Sequence, residues 1–349
     1  MPSFTEFSLT INLLIFAGAA ALVWFAGTKI ARYADAISSK TGLGHALIGV
    51  LLLGGVTSLP EFAVTISASV TGNTALAVNN IFGGVAMQIT ILAAADFAIG
   101  RHALTSVVPN PVVLLQGALN IVVLSVITVG LVVTDYAVFG IGLWVWGATL
   151  IFLYGMWMLS QAEGRVPWQA NMDEALEGIV EDAAADEERV ERSTLRKLIM
   201  RAALAGLAIL IGGFLVAKTG EALAEQTGLG ASFVGAVLVA ISTSLPEVST
   251  VLAAARLGLF TLAISDILGT NLFDAALLFA VDATDQGGAA LNSVSDFSVV
   301  AALLGIVVTA LYLVGLAERR DKTFFRLGID SFAVVIAYLG GLALLYTLR

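Results

Sequence analysis

The sequence contains no cysteine, only two histidines and few charged residues, and each shortage excludes a class of protein. Without cysteine there is no disulfide, iron–sulfur cluster or thiolate metal site, and two histidines cannot build a His-rich zinc site. Charged residues make up 12% of the 349 residues, against roughly 25% in soluble domains, whereas 58% are hydrophobic. A water-soluble chain of this length could not bury so much apolar side chain, so the composition indicates an integral membrane protein.

Long apolar runs take up most of the chain. A helix needs about 20 mostly apolar residues to cross a bilayer, and the chain offers ten such segments. They lie at about residues 9–30, 43–70, 74–98, 110–133, 138–160, 198–223, 230–255, 260–281, 296–317 and 327–347. The sequence therefore predicts an all-α integral membrane protein with ten transmembrane helices.

One long polar segment divides the ten spans into two sets of five. Residues 161–197 hold ten of the 26 acidic residues and are predicted to form a polar loop with an amphipathic helix. We therefore expect a first five-helix half at 1–160, an acidic loop, and a second five-helix half at 198–349.

The basic residues collect on one side of this topology. All but two of the 17 Lys and Arg residues fall in connections on that side, and the exceptions are Lys218 and Arg349. Because connections rich in Lys and Arg stay in the cytoplasm, we expect a multi-pass protein of the plasma membrane with a cytoplasmic acidic loop and both termini outside. The expected partner is the lipid bilayer. The sequence has no basic patch for nucleic acid and shows no required protein partner.

Residues 44–88 are repeated at 230–274. The two copies align without a gap at an offset of 186, are identical at 14 of 45 positions and share the unbroken string TSLPE. Five spans separate the copies, and this odd number means that they cross the membrane in opposite directions. Inverted repeats with interrupted helices near the midplane are typical of secondary transporters.

Each TSLPE string places a proline and a glutamate near the middle of a span. Proline has no N–H to donate and clashes with the carbonyl four residues before it, so Pro60 and Pro246 predict breaks in the second and seventh helices. Carbonyls released in this way must face protein, water or an ion. Glu61 and Glu247 follow directly, and an ionisable group at this depth indicates a functional site.

The two copies together supply carboxylates, hydroxyls and released carbonyls, all of which are oxygen ligands. Ca2+ takes six to eight oxygens, whereas soft metals prefer ligands that this set lacks. Further along the second copy are Asp266 and Asp274, whose counterparts at the 186 offset are the amides Asn80 and Gln88. We expect Asp274 to face the cation. Asp266 lies nearer the start of its span, and both the same cavity and contact with water are open to it.

Other polar side chains within or near the spans have a simpler interpretation. Buried amides and carboxyls in membrane helices commonly form hydrogen bonds to neighbouring helices. We expect such packing from Asp96, Gln116, Asn120 and Asp330.

These motifs resemble those of the cation/Ca2+ exchanger superfamily, most closely the prokaryotic sodium/calcium exchangers. The likeness covers ten spans, a loop after the fifth, and two repeats that carry TSLPE and then a Gly-Ser/Thr-x-x-x-Asn/Asp motif, which the second copy matches at Gly269–Asp274. The resemblance implies a metal site made of the Ca2+ ligands Glu61 and Glu247, the hydroxyls of Thr57, Ser58, Thr243 and Ser244, the second-helix residues Thr270, Asp274 and Gln88, and the backbone carbonyls of Gly54 and Ala240.

The first copy departs from the family pattern at two positions. Gly84 stands where the family has a hydroxyl that helps to hold Na+, and Gln88 stands where it has the shorter Asn. Both glutamates are present, so we expect divalent-cation binding, with Na+ or H+ as the driving ion. The family's proton-coupled branch has a different sequence around its glutamate, so TSLPE favours Na+.

The resemblance implies a secondary antiporter that exchanges Ca2+ for Na+ by alternating access, and not an enzyme. Its core would be spans two, three, seven and eight, past which the first and sixth spans would slide. Three ionised carboxylates in an empty pocket of low dielectric are unfavourable, so Ca2+, Na+ or protons must neutralise them before the carrier returns. A Ca2+/H+ antiporter is the alternative. A cation channel is disfavoured because channels usually build acidic rings from several subunits. We expect no cofactor beyond the transported ions.

Overall fold

Helices make up nearly all of the computed structural model, which describes residues 4–99, 102–108, 110–162, 193–227, 243–285, 288–319, 322–324 and 327–348. Ala240, the first part of the predicted seventh span and most of the acidic loop lie outside these residues. In chain order the described α-helices are α1 (Leu9–Thr41), α2 (His45–Ile48), α3 (Gly55–Thr57), α4 (Leu59–Val70), α5 (Thr74–Ile99), α6 (Leu104–Val107), α7 (Val112–Val132), α8 (Leu143–Ala162), α9 (Leu195–Gln226), α10 (Leu245–Arg256), α11 (Phe260–Thr284), α12 (Asp296–Glu318) and α13 (Ile329–Thr347).

Short elements connect these helices. A π-helical segment, Gly49–Gly54, joins α2 to α3, and 3-10 turns lie at Phe4–Glu6 and Ala290–Ser293. Two antiparallel hairpins precede α8 and α13. Their strands are β1 (Ala137–Val138), β2 (Ile141–Gly142), β3 (Thr323–Phe324) and β4 (Leu327–Gly328).

Eight of the described helices are long and apolar enough to cross a membrane, namely α1, α5, α7, α8, α9, α11, α12 and α13. A further candidate is the pair His45–Thr57 and Leu59–Val70, whose two parts meet at an angle of 50°. The protein is therefore a multi-pass membrane protein. The total of ten spans stays a prediction, because the start of the seventh falls among residues 228–242, outside the described part of the chain.

The second span is interrupted at Ser58, which separates α3 from α4. Pro60 is the second residue of α4, and Pro246 is the second residue of α10. At the start of a helix the missing N–H of proline costs no hydrogen bond, and its fixed φ suits the helical backbone. Each proline is therefore accommodated in the first turn of a new helix.

The structure is nearly all α-helical, as predicted, but two short hairpins precede helices that begin later than hydropathy predicts. The fifth span was expected from residue 138 and the tenth from 327, but a hairpin occupies the start of each. Apolar residues such as Val138 and Ile141 conceal the first hairpin, because a hydropathy window cannot distinguish a short apolar strand from a helix. The turn of this hairpin is marked by positive φ angles, 54° at Phe139 and 82° at Gly140.

Glycines allow the π-helical segment to lie directly against α11. A Cβ built on Gly49 would come within 2.5 Å of the Ser265 Cβ, and one on Gly269 within 2.5 Å of the Val50 Cα. Real Cβ atoms do not approach other atoms so closely, so any larger residue would separate the two backbones. Helix contacts this close in membranes are typical of small residues.

Two amide side chains on α7 form hydrogen bonds to α2 and α11, close to the contact between the π-helical segment and α11. Gln116 donates through Nε2 to the Ala46 carbonyl at 3.0 Å and accepts from the Ser265 hydroxyl at 2.8 Å. Asn120 donates to the Leu268 carbonyl at 2.8 Å. Both amides are buried. The interpretation of Gln116 and Asn120 as helix-packing groups is confirmed.

A buried carboxylate at the end of α5 binds two backbone N–H groups from separate parts of the chain. Asp96 accepts from the Leu104 N–H at 2.7 Å and from the Gly328 N–H at 2.8 Å. Leu104 begins α6, and Gly328 ends the hairpin before α13. The expected hydrogen bond to a neighbouring helix is therefore present, at the first N–H of α6, and Asp96 also joins its own helix to a distant hairpin. We call this arrangement a carboxylate clamp.

Asp282, at the end of α11, forms the same clamp in the second half. It accepts from the Ala290 N–H at 2.7 Å and from the Gly142 N–H at 2.7 Å. Each member of this clamp is 186 residues from its counterpart in the first clamp. The repeat offset therefore holds well beyond the 45 residues that align in sequence, as far as Gly142 and Gly328, and each clamp ties a central helix of one half to the hairpin of the other.

We predict that Asp282→Ala destabilises the protein, because it leaves the N–H groups of Ala290 and Gly142 buried without an acceptor. Each such donor costs about 1–3 kcal/mol, so we expect a loss of at least about 2 kcal/mol. Thermal unfolding in detergent should show a melting temperature several degrees lower. Glu225→Gln, a change to an exposed acid on α9, should melt like the wild type. Equal melting of Asp282→Ala and Glu225→Gln would contradict the clamp.

Candidate cation-binding site

Glu61 and Glu247 occupy the first turns of α4 and α10. Glu61 is 7% exposed and Glu247 is fully buried. When ionised, the two carboxylates repel each other, and Asp274 repels both. The structure therefore places the two predicted glutamates and the predicted aspartate close enough for their charges to repel one another. Both glutamates lie at the positive end of a helix dipole, which offsets part of this repulsion.

The acid and the amide at equivalent positions of the two copies are in direct contact. Gln88 on α5 donates through Nε2 to Asp274 Oδ2 on α11 at 3.0 Å. Both side chains are buried, and Ser58 lies beside the Asp274 carboxyl. This contact joins α5 to α11 at the level of the glutamates.

A pair of hydroxyls lies at the junction of the π-helical segment and α11. Thr57 and Thr270 have their Oγ1 atoms 3.1 Å apart. Each also donates to a backbone carbonyl, Thr57 to Leu53 at 3.1 Å and Thr270 to Asp266 at 2.9 Å. Gly54 permits this approach, because a Cβ there would lie 2.7 Å from the Thr270 backbone nitrogen.

The matching hydroxyl pair cannot form in the other half. The residue equivalent to Thr270 is Gly84, so only the hydroxyl of Thr243, the counterpart of Thr57, is available there. A Cβ built on Gly84 would lie 3.8 Å from both Asp274 Oδ2 and Gln88 Nε2, which leaves room for a small side chain. Thr243 and Ser244 are both buried, and Ala240 lies outside the described residues.

Asp266 is completely buried, so contact with water is excluded for it. The Thr250 hydroxyl donates to its Oδ2, and its charge repels that of Glu247. Its counterpart Asn80 forms a neutral contact instead, donating to Thr65 at 3.2 Å. Of the two places that the sequence left open, Asp266 occupies the interior, because α11 packs against α5, α7, α8 and α10 and is therefore enclosed along most of its length.

Buried oxygens without a hydrogen-bond partner are concentrated in this cluster. About half of those found among the described residues lie here, namely Ser58 Oγ, Glu61 Oε2, Gln88 Oε1, Glu247 Oε1 and Oε2, Asp266 Oδ1 and Asp274 Oδ1; the others, such as those of Asn12 and Asp135, lie elsewhere. Unpartnered buried acceptors are costly, and a bound cation would satisfy several of them at once. No three acidic or His side chains in this part of the chain are arranged to hold a metal alone, so hydroxyl, amide and carbonyl oxygens must complete any cation site.

The fold and this cluster define a multi-pass membrane protein with an acidic, oxygen-lined centre built from two copies of one motif. The sequence model of the family described as sodium/calcium exchanger protein matches residues 11–162 and 197–347, and the chain belongs to that family. The inner membrane protein YrbG of Escherichia coli (strain K12) is 25% identical over 265 residues, which are 75% of this chain and 76% of YrbG.

Solved structures of the sodium-calcium exchanger NCX_Mj have the same fold. One, soaked with 10 mM Na+ and zero Ca2+, has a TM-score of 0.66 at 15% identity and covers 96% of this chain and 99% of its own. Another, soaked with 2.5 mM Na+ and 0.1 mM Sr2+, has a TM-score of 0.68 at 14% identity with the same coverage. At such low identity the likeness shows the fold alone.

We predict that Gly54→Ala disrupts the site, because the added methyl group would push the π-helical segment away from the backbone at Thr270. Overpacking of this kind typically costs about 1–3 kcal/mol. The variant should melt at a lower temperature than the wild type in detergent and should bind Ca2+ more weakly in calorimetric titrations.

Gly83→Ala is the matched control for this change. A Cβ on Gly83 meets nothing within 4 Å, so this variant should retain wild-type melting and Ca2+ binding. If Gly54→Ala and Gly83→Ala behave alike, close backbone contact at Gly54 does not organise the site.

Proposed function

We propose that the protein is a secondary antiporter that exchanges Ca2+ for Na+ across the membrane by alternating access. The observation that carries the proposal is the set of buried, unpartnered oxygens contributed by both copies of the repeat. Membership of the sodium/calcium exchanger family supports it, as do the names of the NCX_Mj structures. The proposal includes ten spans in two inverted five-helix halves.

The ligand types suit a hard divalent cation. Glu61, Glu247 and Asp274 supply carboxylates, and Ser58 and Gln88 supply further oxygens with no protein partner. Ca2+ takes six to eight oxygens and accepts carboxylates through one or both atoms, so this mixture can surround it. Thr57, Thr243, Ser244, Thr270 and the carbonyls of Gly54 and Ala240 complete the proposed ligand set.

Electrostatic repulsion within the empty site provides the coupling. The carboxylates are buried at membrane depth, where like charges interact through a low dielectric and repel strongly. A core that has released Ca2+ must therefore bind other cations before it can expose the site to the opposite side. This requirement makes the exchange obligatory and distinguishes the protein from a channel.

The proposed orientation follows from the charges of the connections. The acidic loop lies in the cytoplasm with the Lys- and Arg-rich connections, and both termini lie outside. YrbG is named as an inner membrane protein, which agrees with a bacterial plasma-membrane location for this chain.

We predict that Glu61→Gln and Glu247→Gln each abolish Ca2+ uptake into proteoliposomes under an outward Na+ gradient. Losing one member of a buried, charge-paired site costs about 2–5 kcal/mol, so uptake should fall to about one-thirtieth of the wild-type rate or less. Glu225→Gln, the exposed control, should transport normally. Near-wild-type uptake by either buried variant, with unchanged melting, would refute the site.

A Ca2+/H+ antiporter is the second candidate, and the absence of a hydroxyl at Gly84 is the observation that favours it. We predict that Gly84→Ser strengthens Na+ binding about threefold to tenfold, because the added hydroxyl fits beside Asp274 and Gln88 and supplies one more oxygen. The measurement is the Na+ concentration that half-saturates Ca2+ exchange.

The exposed Gly83→Ser variant is the control and should leave this concentration unchanged. If uptake by the wild type follows an imposed pH gradient and ignores Na+, and Gly84→Ser does not alter that behaviour, Ca2+/H+ antiport replaces our proposal.

A further inference from the structure

Asp266 is a fourth buried carboxylate, and the proposed Ca2+ ligands do not include it. With Glu61, Glu247 and Asp274, it brings the formal charge of the acids at the site to minus four when all are ionised. One Ca2+ supplies only two positive charges, and a core that has released Ca2+ lacks even these. Either core would keep uncompensated negative charge at membrane depth, which is strongly unfavourable.

The surroundings of Asp266 form a small, oxygen-lined group of their own. Its Oδ2 accepts from the Thr250 hydroxyl, its Oδ1 has no partner, and Thr57 lies close to the same carboxyl. A hydroxyl that donates its proton to a carboxylate keeps its lone pairs free for a cation. The two threonines reach Asp266 from α10 and from the end of α3, so the group draws on both copies of the repeat.

We propose that Asp266 and Thr250, with Thr57 shared with the Ca2+ site, form a subsite for a monovalent hard cation, Na+, beside the Ca2+ site. This inference rests on the proposed function and adds to it the place of one counter-ion. One carboxylate and two hydroxyls are too few oxygens and too little charge for Ca2+, but they are sufficient to neutralise and hold a singly charged ion with help from backbone carbonyls. When the core carries Na+ in place of Ca2+, the ion in this subsite brings the charge of Asp266 close to zero.

The first copy offers no equivalent of this subsite. Asn80 replaces the carboxylate, and its amide is paired with Thr65. A neutral amide that donates a hydrogen bond presents no charge for a cation to neutralise. The subsite therefore has no counterpart around Asn80. Thr65 contacts Asn80 as Thr250 contacts Asp266, so Thr65 provides a control for Thr250.

The test compares Na+ and Ca2+ binding in purified Asp266→Asn, Thr250→Val and Thr65→Val proteins. Na+ binding is followed by thermal stabilisation in detergent without Ca2+, and Ca2+ binding by calorimetry without Na+. Proteoliposomes report the Hill coefficient for Na+-driven Ca2+ exchange.

We expect Asp266→Asn to raise the half-saturating Na+ concentration at least tenfold and to lower the Hill coefficient by about one, with Ca2+ affinity within threefold of the wild type. Thr250→Val should show a smaller shift in the same direction, and Thr65→Val none.

Three outcomes would overturn the subsite. The first is unchanged Na+ binding in Asp266→Asn. The second is an equal loss of Ca2+ and Na+ affinity in Asp266→Asn, which would make Asp266 a Ca2+ ligand. The third is an effect of Thr65→Val equal to that of Thr250→Val. If Asp266→Asn does not fold, Thr250→Val and Thr250→Ser decide the question, because only the serine keeps the hydroxyl and should restore Na+ binding. Failure of the proposed function is distinct. In that case the wild type would bind Na+ through Asp266 but would carry no Ca2+.

Discussion

The burial of four carboxylates among apolar helices is the constraint on which the rest of the structure depends. Glu61, Glu247, Asp266 and Asp274 are each 7% exposed or less, and no Lys or Arg among the described residues forms a salt bridge with them. Carboxylates at this depth are stable only if they are neutralised. With no basic side chain bonded to them among the described residues, these carboxyls must be neutralised by protons or by cations from solution. In the function that we propose, the neighbouring hydroxyls and amides decide where a cation is held.

Holding these oxygens in fixed positions requires rigid contacts around them, and the structure provides two kinds. Glycines at positions 49, 54 and 269 bring the π-helical segment onto the backbone of α11, and the amides of Gln116 and Asn120 secure both from the side. Farther from the site, the clamps of Asp96 and Asp282 fix the ends of α5 and α11 to the hairpins. By contrast, α1 and α9 pack mainly along each other, and Asn12 joins them by donating to Gln226 at 3.2 Å.

The sequence was sufficient to predict the membrane class, most span positions and the proximity of the glutamates, because these follow from apolar length and from a repeated motif. It could not predict the hairpins, since strands of two residues are too short to leave a periodic pattern. It left the burial of Asp266 open, because position along a span does not reveal how many helices surround it. The clamps had one signal, an aspartate at both 96 and 282, but the hydrogen-bonded N–H groups belong to backbone, which a sequence pattern does not mark.

The duplication preserved some pairs of equivalent residues and changed others. The 186-residue offset holds at the clamps, where Asp96 and Asp282 bind corresponding N–H groups at nearly equal distances. At the centre it relates unlike residues: Gly84 to Thr270, Gln88 to Asp274 and Asn80 to Asp266. Each change gives the second copy a charge or a hydroxyl that the first lacks, so three of the four carboxylates at the site lie on α10 and α11. A symmetric set of helices and clamps thus surrounds a site whose charges are distributed asymmetrically. In the function that we propose, this asymmetry lets cations of different charge occupy different places in the site, which a fully symmetric pocket could not provide.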